Sequence, residues 1–458
     1  MVITISAASS VLAQGATTLT LELAIEAARR QYPATAEASA RATAAAAAVG
    51  EARAAYFPRL DGLWQVNRAS RNNVFGLLLP QSIVPPISGP VLGTDTFESA
   101  WGSAAGLLFS VEVFDFGRRS AALQAARAQA RAADASAELA RLDAGVTAAD
   151  AYLSVLGAQQ TSVAARANVS RLETLQRTVK AQVDAELKPG ADQSRIDAEL
   201  ASARNQLIGT EQAFALARLR LASAIGVPDG NLTLDPGRLL APPPGIASAE
   251  DVKAEHPAVR AAKESATATE AAREITARLF RPKIFFNAAA AARASGANTD
   301  GSIDNGHGLW PDVPNWAAGV TVTFPFFDLP ANRARSRVES ASVSAVQARV
   351  TGMVQRSRTE ALQAGVMMDA AVRMAANIPA QISAARQAET QARARYDAGL
   401  TGITEVADAQ RLLARAETEE ALASLAIWRA RLARAAAEGD LTSFLAEAAN
   451  PSGARVKP

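Results

Sequence analysis

Four stretches of the chain alternate apolar and polar residues with a period of two, the pattern that predicts β-strands. The first is carried by apolar Leu60, Trp64 and Val66 between polar Asp61, Gln65 and Asn67. The second has one apolar side and one polar side, made by Ala105, Leu107, Phe109, Val111 and Val113 against Ser110 and Glu112. The third begins at Ile284 and Phe286, and the fourth contains Val320-Thr-Val-Thr-Phe-Pro-Phe326. We predict strands over residues 59–70, 101–115, 281–294 and 315–328.

This alternation leaves two alternatives open. Strands with one apolar and one polar side, and with aromatic residues toward their ends, are typical of the transmembrane strands of outer-membrane proteins. The same pattern is also typical of a half-buried antiparallel sheet in a soluble domain. Long polar segments rich in turn-forming residues follow the first and third strands, at 71–99 and 295–314, and predict loops.

Long stretches rich in Ala, Arg, Gln, Glu and Leu, and free of proline, predict helices over about 118–187, 333–377 and 380–396. A helix of about 66 residues would be ~100 Å long. Val343, Val346, Val350 and Met353 follow one another at the three- and four-residue steps of a coiled coil. Shorter helices return after turns at Lys188-Pro189-Gly190 and Gly399-Leu-Thr-Gly402, so we predict two helical hairpins, 118–226 and 331–439. We expect Pro379 to bend the second one.

The two halves of the chain repeat each other. Pro33 and Pro58 correspond to Pro257 and Pro282, because 257 − 33 and 282 − 58 both equal 224. Beyond the loops the offset is 213, as 405 − 192 and 439 − 226 show for Asp192 with Glu405 and Gly226 with Gly439. A single change of 11 residues inside the loop explains both offsets. Each half therefore reads helix, strand, loop, strand, long helix, turn, helix, which predicts an internal duplication.

The repeat divides the chain into five segments. Residues 1–17 are interpreted as a residual export signal, because the segment is mildly apolar and ends in small residues but lacks a basic start; a disordered N-terminus is the alternative. The two structural repeats are 18–229 and 250–448. A proline-rich linker, 230–249, separates them, and a short tail, 449–458, follows.

Composition narrows the chemistry that the 458 residues can perform. The chain has no cysteine and two histidines far apart, which excludes disulfides and thiolate sites and argues against a histidine metal centre or a catalytic triad. We therefore expect no enzyme activity, no metal and no cofactor. The formal net charge of +2 gives no basic footprint for nucleic acid. Of the 23 aromatic residues, 17 fall within 56–116 and 280–327, so the strands and the helices are built for different surroundings.

No run of 18 apolar residues is present, so the sequence predicts no transmembrane helix. Four strands also cannot close a membrane barrel, since the smallest have about eight. If the strands span a membrane, several chains must share one barrel. If they do not, they form a small sheet.

Three motifs in this order resemble the TolC-like outer-membrane channel family. They are Tyr56-Phe57-Pro58 before the first strand, Phe114-Asp115-Phe116-Gly117-Arg118 after the second, and Tyr396-Asp-Ala-Gly-Leu-Thr-Gly-Ile-Thr-Glu405-Val406 at the second hairpin tip. The resemblance covers about residues 18–448. It implies a mixed α and β membrane protein in which four strands from each chain of a homotrimer complete a 12-stranded barrel in outer-membrane lipid. The long helices then form a coiled-coil tunnel through the periplasm.

The function that the resemblance implies is a passive exit duct of an efflux pump or of a type I secretion system. A periplasmic adaptor protein and an inner-membrane pump would dock at the tunnel tip. The alternative is a soluble periplasmic coiled-coil adaptor or scaffold, although such a protein would not need two matched pairs of strands with apolar sides.

The resemblance also implies where the tunnel would be gated. Acidic residues just after the second tip ring the entrance in the family, and the matching positions here are Glu405 and Asp408. Their equivalents in the first repeat are Asp192 and Arg195. Residues three apart share one helix face, and a ring of carboxylates favours cations. The alternative is that these are ordinary acidic residues near a helix N-terminus, where they suit the helix dipole.

The remaining candidate residues lie in the tip turns. Tyr396 matches a tyrosine that helps to hold the tip closed through hydrogen bonds in the family, or it acts as an apolar staple at the end of the hairpin. Gly399, Leu400 and Leu187 are candidates for tip closure or adaptor contact. The family often has a basic residue at the position of Thr401, so its absence argues against a salt-bridged latch to Asp192.

Overall fold

The computed structural model describes residues 18–70, 96–227, 232–243, 255–298, 300, 302–304, 306–325 and 328–449. Within these ranges the chain forms the following elements in order: α1 (Leu21–Gln31), α2 (Pro33–Ala54), β1 (Arg59–Ser70), β2 (Ser99–Phe114), α3 (Arg118–Asp184), α4 (Gly190–Ile225), α5 (Pro257–Ala277), β3 (Lys283–Ser295), β4 (Val313–Thr323), α6 (Leu329–Asp397), α7 (Ile403–Glu438) and α8 (Thr442–Ala449). The order of strand, strand, long helix and shorter helix is the same in both halves. The predicted export signal, most of the first loop, part of the linker and the tail after Ala449 lie outside the described residues.

The four strands form one antiparallel sheet in the order β1-β2-β3-β4. β1 pairs along its whole length with β2, from Arg59 opposite Ser110 to Ser70 opposite Ser99. The two inner strands come from different halves of the chain, and β3 in turn pairs with β4. One irregularity between Glu112 and Phe114 leaves Val113 without a partner in the β2–β3 ladder.

The two faces of this sheet differ in chemistry. Residues directly opposite in antiparallel strands point to the same side, and side chains alternate along each strand. One face, named here the apolar face, is built from these rows: Trp64-Ala105-Ala292-Pro314, Gly62-Leu107-Ala290-Trp316, Leu60-Phe109-Ala288-Ala318, Val111-Phe286-Val320 and Phe114-Ile284-Val322. The other face is mixed, with small and polar residues beside the large apolar Leu63, Leu108 and Phe285. On this face Ser110 donates a hydrogen bond to Asn287 over 2.9 Å.

The strand boundaries differ from the predicted ones mainly at β4. It was expected to run to residue 328 but ends at Thr323. Pro325 follows two residues later, and proline cannot donate to a strand ladder. β3 starts at Lys283, just after Pro282, and β2 starts two residues before the predicted position, at Ser99. Phe326 and Phe327, which belong to the predicted strand, lie outside the described residues.

The long helices α3 and α6 contain 67 and 69 residues, and the shorter α4 and α7 contain 36 each. Pro379 lies inside α6 and does not end it. The coiled-coil spacing marks the packed side of α6, because Val343 is buried and Val346, Val350 and Met353 are half-buried between exposed neighbours. Gly226 and Gly439 end α4 and α7 with φ of 74° and 80°, the left-handed conformation that glycine adopts without strain.

The chain divides into two compact units. The first comprises Met1–Thr43, Ala132–Glu264 and Ala348–Pro458, and the second comprises Ala44–Arg131 and Ser265–Gln347. Each unit therefore draws residues from both sequence repeats. The largest apolar cluster lies in the first unit and includes these fully buried side chains: Ile25, Tyr152, Leu153, Leu221, Trp428 and Leu441.

Residues near the start of the chain and in the linker are tied into this cluster. Leu19 forms a parallel bridge with Leu234, and its carbonyl oxygen accepts a hydrogen bond of 2.9 Å from the hydroxyl of Tyr152. The indole nitrogen of Trp428 donates to the carbonyl oxygen of Ala241 over 3.0 Å. Part of the predicted linker is therefore a fixed component of the first unit.

None of the helices that the structure describes combines the length and the apolarity needed to cross a bilayer.

Candidate functional site

The two hairpin tips share one backbone design. Leu187 donates its backbone N–H to the carbonyl oxygen of Gln182 over 2.9 Å, and Leu400 does the same to Arg395 over 2.8 Å. These bonds close each long helix with the hydrogen bond of a Schellman motif. The preceding residue is left-handed in both tips, Gly399 with φ of +73° and Glu186 with φ of +62°. The first tip therefore places a non-glycine residue where the second has glycine.

Tyr396 joins the second tip to the first. Its side chain is fully buried in a small apolar cluster contributed by both hairpins: Leu175, Val179, Ile196, Ile403 and Val406. Its hydroxyl donates a hydrogen bond of 3.1 Å to the Oδ2 atom of Asp192 in the first turn of α4. The apolar staple and the hydrogen-bonding role that the sequence left as alternatives are thus combined in one side chain.

Lys188 contacts the same tyrosine from the first tip. Its Nζ atom donates to the carbonyl oxygen of Tyr396 over 3.0 Å and lies 4.3 Å from the centre of the tyrosine ring. The carbonyl belongs to the last turn of α6, the negative end of the helix dipole, so a cation there is favourable. An ammonium over an aromatic face adds a cation–π attraction. We name Lys188, Asp192 and Tyr396 together the tip clamp.

The environment of the tip clamp changes the acidity of its phenol. Burial, with the Asp192 carboxylate that accepts the hydrogen bond, raises the pKa of Tyr396 to about 12. A raised pKa keeps the hydroxyl protonated at neutral pH, which is the form that can donate to a carboxylate.

Glu405 and Asp408 lie on the first two turns of α7, and each has a basic partner. Arg395 forms an ion pair of 3.1 Å with Glu405, and Arg411 pairs with Asp408. Arg411 also lies 3.7 Å from Glu199 of the first hairpin. The Glu405 and Asp408 side chains remain 44% and 60% exposed, so solvent screens these ion pairs. The predicted carboxylates are therefore partly neutralised within their own chain.

The other predicted tip residues face solvent. Leu187 and Leu400 are 74% and 72% exposed. Arg195 is exposed as well, and it forms no ion pair with any residue in the described ranges. The hydroxyl of Thr401 is buried and has no hydrogen-bond partner in the described part of the chain, so it takes no part in holding the tips together.

Three side chains that contact the predicted tip residues were not identified from the sequence. Lys188 occupies the first-tip position equivalent to Thr401, since 401 − 188 equals 213, so the repeat itself points to it as the basic residue missing from the second tip. Arg411 had a local signal, because it follows Asp408 by three residues on the same face of α7. Arg395 had none, because charged residues are frequent along every helix and only the folded second tip brings this one to Glu405.

Further along the hairpins, Arg171 of α3 binds Glu417 of α7 through two hydrogen bonds of 2.6 and 3.3 Å. Both side chains are half-buried, and this paired geometry is the strongest form of arginine–carboxylate contact. Within the described residues, no cluster of three or more His, Asp or Glu side chains is arranged to hold a metal ion.

Comparison with known families gives one extended match. The model of the family described as "Outer membrane efflux protein" matches residues 24–227 and 249–439, which together make up most of the chain and include both tips. A comparison with curated proteins found no significant match.

Several solved structures share the fold of this chain. The outer membrane protein VceC from Vibrio cholerae matches with a TM-score of 0.71 at 19% identity, over 92% of this chain and 96% of that chain. The CmeC outer membrane channel of Campylobacter jejuni matches with a TM-score of 0.74 at 14% identity, over 94% and 90%. The MtrE outer membrane channel of Neisseria gonorrhoeae, solved in an open state, matches with a TM-score of 0.70 at 20% identity, over 92% and 89%.

Proposed function

The chain belongs to the outer membrane efflux protein family, and on that premise we propose that three copies assemble into one passive export channel. The three sheets form a single 12-stranded barrel in the outer membrane, and the helical hairpins form a tunnel in the periplasm. The family is one of channels rather than enzymes, so the chain itself supplies no chemistry and the energy for export comes from a partner. Membership of this family also disfavours the alternative of a soluble adaptor.

The apolar face of the sheet is the observation that carries this proposal. Its five rows contain no charged residue, and several of its large side chains are open to solvent in the single chain, including Trp64 and Trp316 at 69% and 83% exposure. A surface of this kind is unfavourable in water. It is the expected outer surface of a transmembrane barrel, whose strands turn apolar residues to lipid and polar residues inward.

The sheet also needs partners for its edges. β1 and β4 are its outermost strands, so each has one side without a ladder partner in the described part of the chain. Unpaired backbone groups cannot remain exposed in lipid. Pairing β4 of one copy with β1 of the next satisfies both edges, and three copies supply the 12 strands.

The tips would form the periplasmic entrance and its docking surface. The exposed Leu187 and Leu400 offer apolar contacts to a periplasmic adaptor protein, which would couple the channel to an inner-membrane pump. The tip clamp would hold the two hairpins of each chain together in the closed state. Glu405, Asp408 and Asp192, with Arg195 beside them, would line the entrance and set its ion preference.

The assembly and its location test the proposal directly. We expect the full chain, expressed with an export signal, to be extracted from outer membranes by detergent and to migrate as a heat-sensitive trimer on a denaturing gel. Recovery as a monomer in the periplasmic extract would contradict the proposal.

A further inference from the structure

In the part of the sheet that the structure describes, one cationic side chain lies at one end of the apolar face. Arg68 lies on the same side of β1 as Leu60, Trp64 and Val66, and it pairs with Trp101 of β2 in the ladder. This end of the sheet is the one distant from the helices, because β1 begins and β2 ends beside α2 and α3. Eight residues separate Leu60 from Arg68, or about 27 Å along the strand. At a strand tilt of about 35–45° this length spans about 19–22 Å along the membrane normal, slightly less than the apolar band of an outer-membrane barrel, about 25 Å tall.

The guanidinium of Arg68 is held by two neighbours on β2. Its Nε atom donates a hydrogen bond of 2.9 Å to the hydroxyl of Ser99, and its central carbon lies 5.3 Å from the centre of the Trp101 ring. Ser99 is two residues nearer to the strand end than Trp101, so the side chain leans away from the apolar rows. An arginine at a membrane boundary extends in this direction to bring its charge to the polar head groups.

These contacts leave part of the guanidinium available. Neither terminal nitrogen has a hydrogen-bond partner, and no carboxylate pairs with Arg68, among the residues that the structure describes. A planar guanidinium fixed through Nε presents its two terminal N–H₂ groups in the fork that matches phosphate oxygens. Stacking on tryptophan removes rotamer freedom before a ligand arrives, which lowers the entropy cost of binding.

The opposite end of the apolar face lacks such a group. There the rows end in Phe114, Ile284 and Val322, with no basic side chain on this face. A feature confined to the outer end therefore distinguishes the two leaflets that the barrel would contact.

We propose that Arg68, with Ser99 and Trp101, is a binding site for the phosphate group of a glycolipid in the outer leaflet. This proposal rests on the proposed function, which places the sheet in the outer membrane, and it adds one specific lipid contact to that function. The guanidinium binds the phosphate through its terminal nitrogens, while Trp101 lies at the level of the sugar and the first acyl carbons.

The experiment compares lipid binding by purified wild-type protein and by Arg68→Gln in detergent, using native mass spectrometry with bisphosphorylated lipid A as the probe. We expect the substitution to weaken binding about tenfold, the equivalent of losing one hydrogen-bonded charge contact. Arg68→Lys should show an intermediate loss, because it keeps the charge but not the fork. Arg59→Gln is the matched control, since it removes a basic residue from the other face at the other end of the same strand.

Two further arms identify the group that is bound. Lipid A stripped of both phosphates should bind wild type and Arg68→Gln equally, and inorganic phosphate at millimolar concentration should not displace the intact lipid. Equal affinity of wild type and Arg68→Gln for bisphosphorylated lipid A would overturn the inference, as would full displacement by inorganic phosphate. If the channel proposal fails, the protein is recovered as a periplasmic monomer. If only the lipid site fails, the protein is a membrane trimer whose lipid affinity is unchanged by Arg68→Gln.

Discussion

Tyr396 contacts the first hairpin through its ring, its hydroxyl and its carbonyl oxygen. A tyrosine at this position and Asp192 were both identified from the sequence, because the motif at the second tip and the repeat point to them. The repeat also marks Lys188 as the basic residue of the first tip, but its contact with Tyr396 could not be predicted from the repeat. It depends on the side-by-side placement of two turns that are more than 200 residues apart.

Removing the hydroxyl of Tyr396 should loosen the tip. Tyr396→Phe keeps the buried ring and the contact with Lys188 but deletes the hydrogen bond to a charged acceptor, which is worth about 1.5 kcal/mol. We expect more frequent opening in single-channel recordings from planar bilayers. Tyr32→Phe is the matched control, because the Tyr32 hydroxyl has no hydrogen bond within the described residues. Identical open probabilities for wild type and Tyr396→Phe would remove the tyrosine from the gate.

The raised pKa of Tyr396 predicts a pH dependence at the alkaline side. The unfolded chain releases a tyrosine proton near pH 10, whereas the folded tip holds it until about 12. The protonated Tyr396 hydroxyl therefore contributes its full stabilisation of the folded tip below about pH 10. This contribution is lost as the pH rises to about 12. Tyrosinate absorbance should show groups that lose their proton only at high pH, and these include Tyr396 and Tyr152. Burial raises the pKa of Tyr152 as well. In Tyr396→Phe one of these late groups should be missing; an unchanged late phase would contradict the assignment.

At the scale of single elements, both tip turns contain one left-handed residue, which is glycine in the second tip and glutamate in the first. A residue with a Cβ loses about 1–2 kcal/mol of folded-state stability in the left-handed conformation. Glycine avoids this strain but loses more conformational entropy on folding, which offsets part of the gain. We expect Glu186→Gly to stabilise the first tip by about 0.5–1 kcal/mol and Gly399→Ala to destabilise the second by a similar amount. Hydrogen exchange of the Leu187 and Leu400 amides measures both effects. Slower exchange in Gly399→Ala would show that backbone strain does not govern these turns.

The sheet offers a similar comparison between two glycines on the face opposite the apolar face. A Cβ added to Gly106 would lie 2.7 Å from the Cβ of Ala291 and 2.9 Å from the carbonyl oxygen of Ala290. At Gly319 the same atom would meet nothing within 4 Å. We expect Gly106→Ala to cost about 1–3 kcal/mol, as overpacking typically does, and Gly319→Ala to be nearly neutral. Thermal denaturation in detergent measures the difference, and equal midpoints would contradict the tight β2–β3 contact.

The existence and type of the elements followed from the sequence more closely than their ends and their partners. Period-two alternation indicated four strands, because one side of each must be apolar. It could not indicate that β2 pairs with β3, a contact between the two halves that only the folded chain establishes. Pro325 explains the early end of β4. The bend expected at Pro379 stays a prediction, and the long α6 continues through this residue.

At the scale of the whole molecule, the ion pairs at the tips set the expected selectivity of the channel. Three copies would bring six carboxylates from Glu405 and Asp408 to the axis, but Arg395 and Arg411 partly offset them. We expect the double variant Glu405→Gln, Asp408→Asn to lower cation preference and block by divalent cations. The variant Arg395→Gln, Arg411→Gln should raise both.

Single-channel reversal potentials in a salt gradient measure these changes. Glu211→Gln with Arg166→Gln is the control, because it removes an exposed ion pair from the first hairpin far from its tip. Unchanged selectivity in the acidic double variant would place the gate elsewhere. A rise in the arginine variant alone would still identify the tip as the constriction.

The ties of Leu19 to Leu234 and of Trp428 to Ala241 have a consequence for how the chain folds. The bridge spans 234 − 19 = 215 residues, and the indole hydrogen bond spans 187. Helices form from local contacts within microseconds, but closures over such separations are slow because of their loop entropy. The first unit thus cannot close until Trp428 has been synthesised. Until then its apolar pocket around Tyr152 stays open, and we expect nascent chains halted before Trp428 to be held by chaperones.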